Sequence, residues 1–178
     1  IMLSQIQPHF LYNALNAIYY LCEKDAGLAQ QAIAEFSDYL RGNLDSIGVE
    51  DNVPFERELT HIRNYLFLEK LRYEDELEII YDLETLDFRL PPLTVQPLVE
   101  NAILHGLDGI SEGAVSVRAR KMTAEAAVEL CMAENITKSA ATFCADGTDR
   151  IEESGREILC ITVEDNGCGL PEELCGPY

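Results

Sequence analysis

The sequence predicts an α+β protein: a helical bundle on its N-terminal side, followed by a half in which helices and strands mix. Three observations carry this. Apolar residues recur at steps of three and four through the first 75 residues, β-branched segments with alternating polarity appear after residue 76, and prolines and glycines sit where elements must stop.

From Leu3 to Cys22 the apolar residues Leu3, Ile6, Phe10, Leu11, Ala14, Leu15, Ile18, Leu21 and Cys22 keep helical spacing, so one face is expected to be buried. A second helix is expected from Ala29 to Leu44, with Ala32, Ile33, Phe36, Tyr39 and Leu40 on its stripe. Ser46 to Asn52, with Gly48, reads as a loop, and Pro54 suits a helix's first turn. The third helix, about Phe55 to Tyr73, aligns Leu59, Ile62, Leu66 and either Leu68 or Glu69, and ends in Lys70 and Arg72, cations that suit a helix C-terminus. Three amphipathic helices without a strand predict a bundle that completes its core with a second copy, so a homodimer is the expected state.

The boundary falls near Glu74 to Glu76, dividing residues 1–75 from 76–178. Leu77 to Leu83 reads as a strand, Pro91-Pro92 precedes a helix from Thr94 to His105, and Ala114 to Lys121 and Glu157 to Glu164 read as strands with one buried face each. Met122 to Ala133 reads as a short helix or a continued strand, and Thr137 to Gly155 as a polar, mobile excursion to which no function is assigned.

A chain of 178 residues suits one or two compact domains. Its net charge of −19 argues against nucleic acid or an anionic membrane surface as partner, since both would be repelled. No apolar run approaches the roughly 20 residues that cross a bilayer. The expectation is a soluble, cytoplasmic portion of a longer protein, because Ile1 and Met2 open directly in an apolar-periodic segment; any membrane region would lie upstream. The six cysteines form no CxxC pair and are expected to be reduced thiols.

Three segments could carry chemistry. The first is Gln5-x-x-Pro8-His9-Phe10-Leu11-Tyr12-Asn13. A proline inside a helix costs about 3 kcal/mol, so Pro8 is expected to bend the helix beside His9. Phe10 and Leu11 would point inward and leave the imidazole on the polar side, with Asn13 one turn on, on the same face. A neutral imidazole offers a ring nitrogen lone pair to an electrophilic phosphorus. Taken alone, a surface histidine beside a bend is the commoner occurrence.

The second is Gln96-Pro97-Leu98-Val99-Glu100-Asn101-Ala102-Ile103-Leu104-His105-Gly106. Pro97, Val99 and Ile103 would face the core, while Glu100, Asn101 and His105 offer a carboxylate, an amide oxygen and an imidazole within two turns. Such a set can hold a hydrated Mg²⁺ and the phosphates it bridges. The plainer reading is a helix ending at Gly106. The third is Asp165-Asn166-Gly167-Cys168-Gly169-Leu170 after a strand: glycines let a backbone approach a ligand closely, and a buried aspartate can accept an exocyclic amine such as adenine's. A lone DNG after a strand is more often only a tight turn.

In this order QIQPHFLYNALN, QPLVENAILHG and DNGCGL resemble the LytS-like sensor histidine kinases, and the resemblance covers nearly the whole chain. Leu59 to Tyr73 is similar to the helix that joins the two domains in that family. The resemblance implies a Bergerat-type α/β sandwich in the second half, shared with gyrase and Hsp90-like ATPases, and phosphoryl transfer from Mg·ATP to His9 and on to a response-regulator aspartate. It implies Asn101 as the Mg²⁺ ligand, Glu100 as a proton-handling partner, His105 and Asp165 as nucleotide contacts with Asp165 on the adenine amine, and Gly167 and Gly169 lining the pocket. Phe10 departs from the acidic residue that follows the histidine in many other histidine kinases, and Asn13 is the expected substitute that orients the ring or a hydrolytic water. The lid and second glycine-rich segment of such a site are expected beyond Tyr178. Two alternatives stand beside the kinase: a non-catalytic dimerisation and signalling module with a degenerate nucleotide site, and a GHKL-type ATPase that drives conformational change.

Overall fold

The structure, a computed structural model, describes residues 7–46, 48–49, 51–107, 111–123, 125–126 and 157–167. It is α+β, with the helices first: α1 (Pro8–Lys24), α2 (Ala26–Ser46), β1 (Val53–Pro54), α3 (Phe55–Tyr73), β2 (Leu77–Leu83), β3 (Arg89–Leu90), α4 (Gln96–Asn101), β4 (Gly113–Thr123) and β5 (Glu157–Asp165).

Helix α1 begins at Pro8, and Gln7 before it is extended, with φ −65° and ψ 118°. The expected proline bend is therefore overturned. In the first helical turn the missing N–H has no intrahelical acceptor to lose and the ring's φ is already helical, so Pro8 starts the helix without a kink. Leu3, Gln5 and Ile6 lie outside the described residues. The buried stripe is Phe10, Ala14 and Ile18; Leu15 and Cys22 are exposed. Asp25 separates α1 from α2 and caps the latter, its Oδ1 accepting the Leu28 N–H at 2.9 Å. On α2, Ala29, Ala32, Tyr39 and Asn43 are buried, whereas Ile33 is exposed.

Helix α3 is the centre of the molecule and touches α1, α2, α4, β1 and β2. That is why the choice between Leu68 and Glu69 resolves as both: each is buried, the first among apolar side chains and the second paired with Arg72 at 2.6 Å. The two-residue strands β1 and β3 pair antiparallel, Val53 opposite Leu90, and fasten the start of α3 to the segment before α4. Beside them the Phe55 and Phe88 rings stack at 4.4 Å.

The larger sheet has the order β2-β4-β5, with β2 parallel and β5 antiparallel to β4. Ile79, Val115 and Asp165 share one register line across it. Strand β5 departs from the expected single buried face, since Leu159 to Asp165 are all buried. Its polar positions are paired: Glu164 meets Arg118 at 2.8 Å, and the Cys160 Sγ and Thr162 Oγ1 lie 3.6 Å apart. Met122 and Thr123 continue β4, and residues 127–156 lie outside the described set.

The helix expected at Thr94–His105 is shorter in its α part. It begins at Gln96 and widens after Asn101 into a π turn, Ala102–Gly106. Val99 and Ile103 are in the core as expected, but Pro97 is exposed and Gln96 takes the buried place. At its start Leu93 adopts a left-handed φ of 59°, strained for a side chain with a Cβ. The buried Glu58 of α3 holds it there, one carboxylate oxygen accepting the Leu93 N–H at 2.6 Å and the other the Val95 N–H at 3.1 Å. The thiols of Cys22 and Cys160 are reduced; Cys131, Cys144, Cys168 and Cys175 lie outside the described residues. No helix among the described residues is long and apolar enough to cross a membrane.

Candidate functional site

His9 is the second residue of α1 and is exposed, while Phe10 beside it is buried against the Tyr39 and Tyr65 rings, 4.9 Å from each. The aromatic anchor fixes this part of the helix, and the imidazole is left facing outward. One turn on, the Asn13 Nδ2 lies 3.3 Å from His9 Nδ1 and 3.5 Å from Nε2. The expected pair is therefore present, with the amide against the ring's polar edge.

At the sheet, Asp165 ends β5 nearly buried, and its Oδ1 accepts the Gly167 N–H at 2.9 Å, a turn closed by an aspartate side chain. Gly106, the last residue of the π turn, packs directly on that carboxylate; a Cβ there would overlap Asp165 Cγ and Oδ1. A Cβ on Gly167 would overlap the Gly106 carbonyl oxygen. Both glycines are thus needed for two backbones to close around one aspartate. Asn166 stitches the approach: its Oδ1 accepts the Ala114 N–H at 2.7 Å and its Nδ2 donates to the Glu112 carbonyl at 2.9 Å. Gly169 lies outside the described residues.

Along the helix that ends at Gly106, Asn101 and His105 are exposed and Glu100 is not with them. The Glu100 Oε1 accepts Gln96 Nε2 at 2.6 Å and the Tyr39 hydroxyl of α2 in a long contact of 3.4 Å. Burial pushes the Glu100 carboxyl above its ordinary value, Glu69 adds to this by like charge, and the two donors oppose it. Burial likewise raises Glu69, opposed by Arg72 and by His9. Tyr39 and Tyr65 are raised by burial first and by the neighbouring carboxylates next, so both phenols stay protonated donors. Tyr39, Glu69, Gln96 and Asn43 of this cluster, and Glu58 and Asn166, were not singled out as site residues. Tyr39 and Glu69 fall on the apolar stripes of their helices and Gln96 and Asn166 inside the two motifs, whereas Asn43 and Glu58 carry no such signal.

Three groups result: His9 with Asn13; Gly106, Asp165 and Gly167; and Glu100 with Tyr39 and Gln96. A histidine kinase family model matches residues 1–77. The chain is 48% identical over 105 residues to the uncharacterized protein YwpD of Bacillus subtilis (strain 168), covering 58% of this chain and 38% of that protein. It is 42% identical over 105 residues to the sensor histidine kinase YpdA of Escherichia coli (strain K12), covering 58% and 18%. To the sensor protein LytS of Enterococcus faecalis (strain ATCC 700802 / V583) it is 35% identical over 172 residues, covering 96% and 24%. The chain belongs to the LytS-like sensor histidine kinase family. It spans 18% to 38% of the length of these relatives.

Proposed function

We propose that this chain is the catalytic region of a two-component sensor histidine kinase, with a phosphotransfer and dimerisation part at 1–75 and a nucleotide-binding part of Bergerat type at 76–178. The observation that carries the nucleotide half is the closure of Gly106 and Gly167 around Asp165, at the end of the helix bearing Asn101 and His105. A buried carboxylate walled by backbone fits an adenine amine, which needs one acceptor and little room. The exposed Asn101 fits a Mg²⁺ that keeps most of its waters, and the metal would neutralise charge on the phosphates. His105, Gly167 and Gly169 contact the nucleotide in this reading, and Glu100 handles a proton.

In the transfer, a lone pair on a His9 ring nitrogen forms a bond to the γ-phosphorus as the bond to the ADP oxygen breaks, giving phosphohistidine and ADP. A response-regulator aspartate then takes the phosphoryl group. Asn13 fixes which nitrogen is available: its amide, turned so that the oxygen accepts the N–H of one ring nitrogen, sets the tautomer and leaves the lone pair of the other to react. The partners of this reading are a second copy of the chain and a receiver domain, and the region lies on the cytoplasmic side of a membrane-bound sensor. The test is incubation of the full-length protein with labelled ATP and Mg²⁺. Acid-labile label that disappears in His9→Gln is the expected result; nucleotide binding without label would leave the signalling-module alternative standing instead.

A further inference from the structure

The join between the helical half and α4 is a buried polar cluster that the phosphotransfer chemistry does not itself require. We propose that Tyr39 is a positioning residue for Glu100: the phenol of α2 donates to the carboxylate of α4 and ties that carboxylate to the packing of the helix that carries His9. The inference rests on the kinase reading for its consequence, and on the geometry for its substance.

The connection is continuous. Phe10, the neighbour of His9, packs on Tyr39, and the Tyr39 ring is fully enclosed between Phe10, Tyr65 and His61. A ring so confined cannot turn on its own, so its hydroxyl points where the α1–α2–α3 packing sends it. There it meets Glu100 Oε1. A second path from the same helix reaches the same oxygen: the Asn43 Oδ1 accepts Gln96 Nε2 at 3.4 Å, and that nitrogen also donates to Glu100 at 2.6 Å. The Asn43 amide is itself braced by donating to the Tyr39 carbonyl at 3.1 Å. A shift of α1 on α2 therefore changes the donors seen by a carboxylate one residue from Asn101.

The groups facing Glu100 are Tyr39 from α2, Tyr65 and Glu69 from α3, with Glu69 paired to Arg72, and Gln96 on its own helix. Glu69 and burial oppose ionisation of Glu100, while Tyr39 and Gln96 favour it. Removing the phenol oxygen therefore takes from Glu100 Oε1 one of its two side-chain donors.

Tyr39→Phe deletes that oxygen and keeps the ring in its aromatic nest, so the fold is retained. In the full chain, a urea-unfolding double-mutant cycle of Tyr39→Phe and Glu100→Gln should show the two losses to be non-additive, because both changes remove the same contact. Additive losses would overturn the proposal. In the full-length protein, phosphorylation of His9 should lose about tenfold in kcat with KM for Mg·ATP unchanged, as expected for a side chain that acts through another; a raised KM at unchanged kcat would also overturn it. If wild-type protein binds ATP yet never labels His9, the kinase reading fails, and the unfolding cycle still decides what Tyr39 does.

Discussion

Around His9 the working atoms belong to two residues one turn apart on a single helix, and they stand in solvent. Around Asp165 they belong to segments separated by all of β4 and β5, and their backbones meet with no room for a Cβ. The first arrangement needs only a helix; the second needs the whole sheet and the correct seating of α4. A change that loosens the fold should therefore reach the Asp165 region long before it alters the His9–Asn13 pair.

The largest expected effect comes from cutting the tie between the two regions. Glu58→Ala removes the acceptor for both the Leu93 and Val95 N–H groups and leaves Leu93 in a strained conformation with nothing to hold it. A donor left without a partner costs about 1–3 kcal/mol, so for the buried Val95 N–H and the part-buried Leu93 N–H together a loss of roughly 2–6 kcal/mol is expected in urea unfolding. Amide exchange should quicken in α4 and β4 more than in α1. Equal acceleration in both would mean that the two regions are one cooperative unit and that the contrast drawn above is false.

Next in size is Gly167→Ala. The added methyl meets the Gly106 carbonyl, which is backbone and cannot swing aside, and such overpacking costs about 1–3 kcal/mol. If that strain is expressed as displacement of Asp165, Mg·ATP affinity measured by calorimetry should fall by about tenfold to a hundredfold. Helix content by circular dichroism should be unchanged.

A smaller effect lies inside the bundle. His61 is buried against Tyr39 and Gly42, its Nε2 has no hydrogen-bond partner among the described residues, and burial, with Arg57 adding to it, holds its pKa below 6.5. The native state then binds fewer protons here than the unfolded chain, so stability is full above pH 6.5 and falls as pH drops through that value. Glu69 and Glu100 act oppositely: their raised values make the native state hold protons more tightly, and stability falls as pH rises from about 4.5 through those raised values. Comparing urea midpoints at pH 7.5 and 5.5 in wild type and His61→Gln isolates the histidine. Wild type should lose more stability on acidification than the variant, and equal losses would assign no part of the acid sensitivity to His61.

The same contrast explains which features were legible in the sequence. Spacing of four puts His9 and Asn13 on one face of any helix, so that pair required no tertiary knowledge. Periodicity tracks apolarity, however, and it passed over Glu58, Gln96 and Asn43, whose burial is tolerable only because partners from other elements satisfy them. Tyr39 was legible as core but not as a donor. Pro8 was misread because helical spacing runs on both sides of it, and only the extended Gln7 shows that the helix starts there. The glycines of ENAILHG and DNG signalled close approach, but nothing in either segment says that they approach each other. Strands of two residues, β1 and β3, are too short to carry any period.

The smallest effect on the fold, and the sharpest on chemistry, is expected from Asn13→Ala. Asn13 is only half-buried, and its recorded polar contact is with an exposed imidazole, so the change in stability should stay within about 0.5 kcal/mol. Without the amide the ring is free to rotate and to exchange tautomers, so the fraction of time in which the correct nitrogen faces an incoming phosphorus falls. A drop in the rate of His9 labelling is expected in the full-length protein, together with a change in the dephosphorylation of the partner aspartate if the amide also orients water. Should both rates match wild type, Asn13 has no part in orienting His9, and the exposed pair on α1 reduces to a contact between neighbours on one helix face.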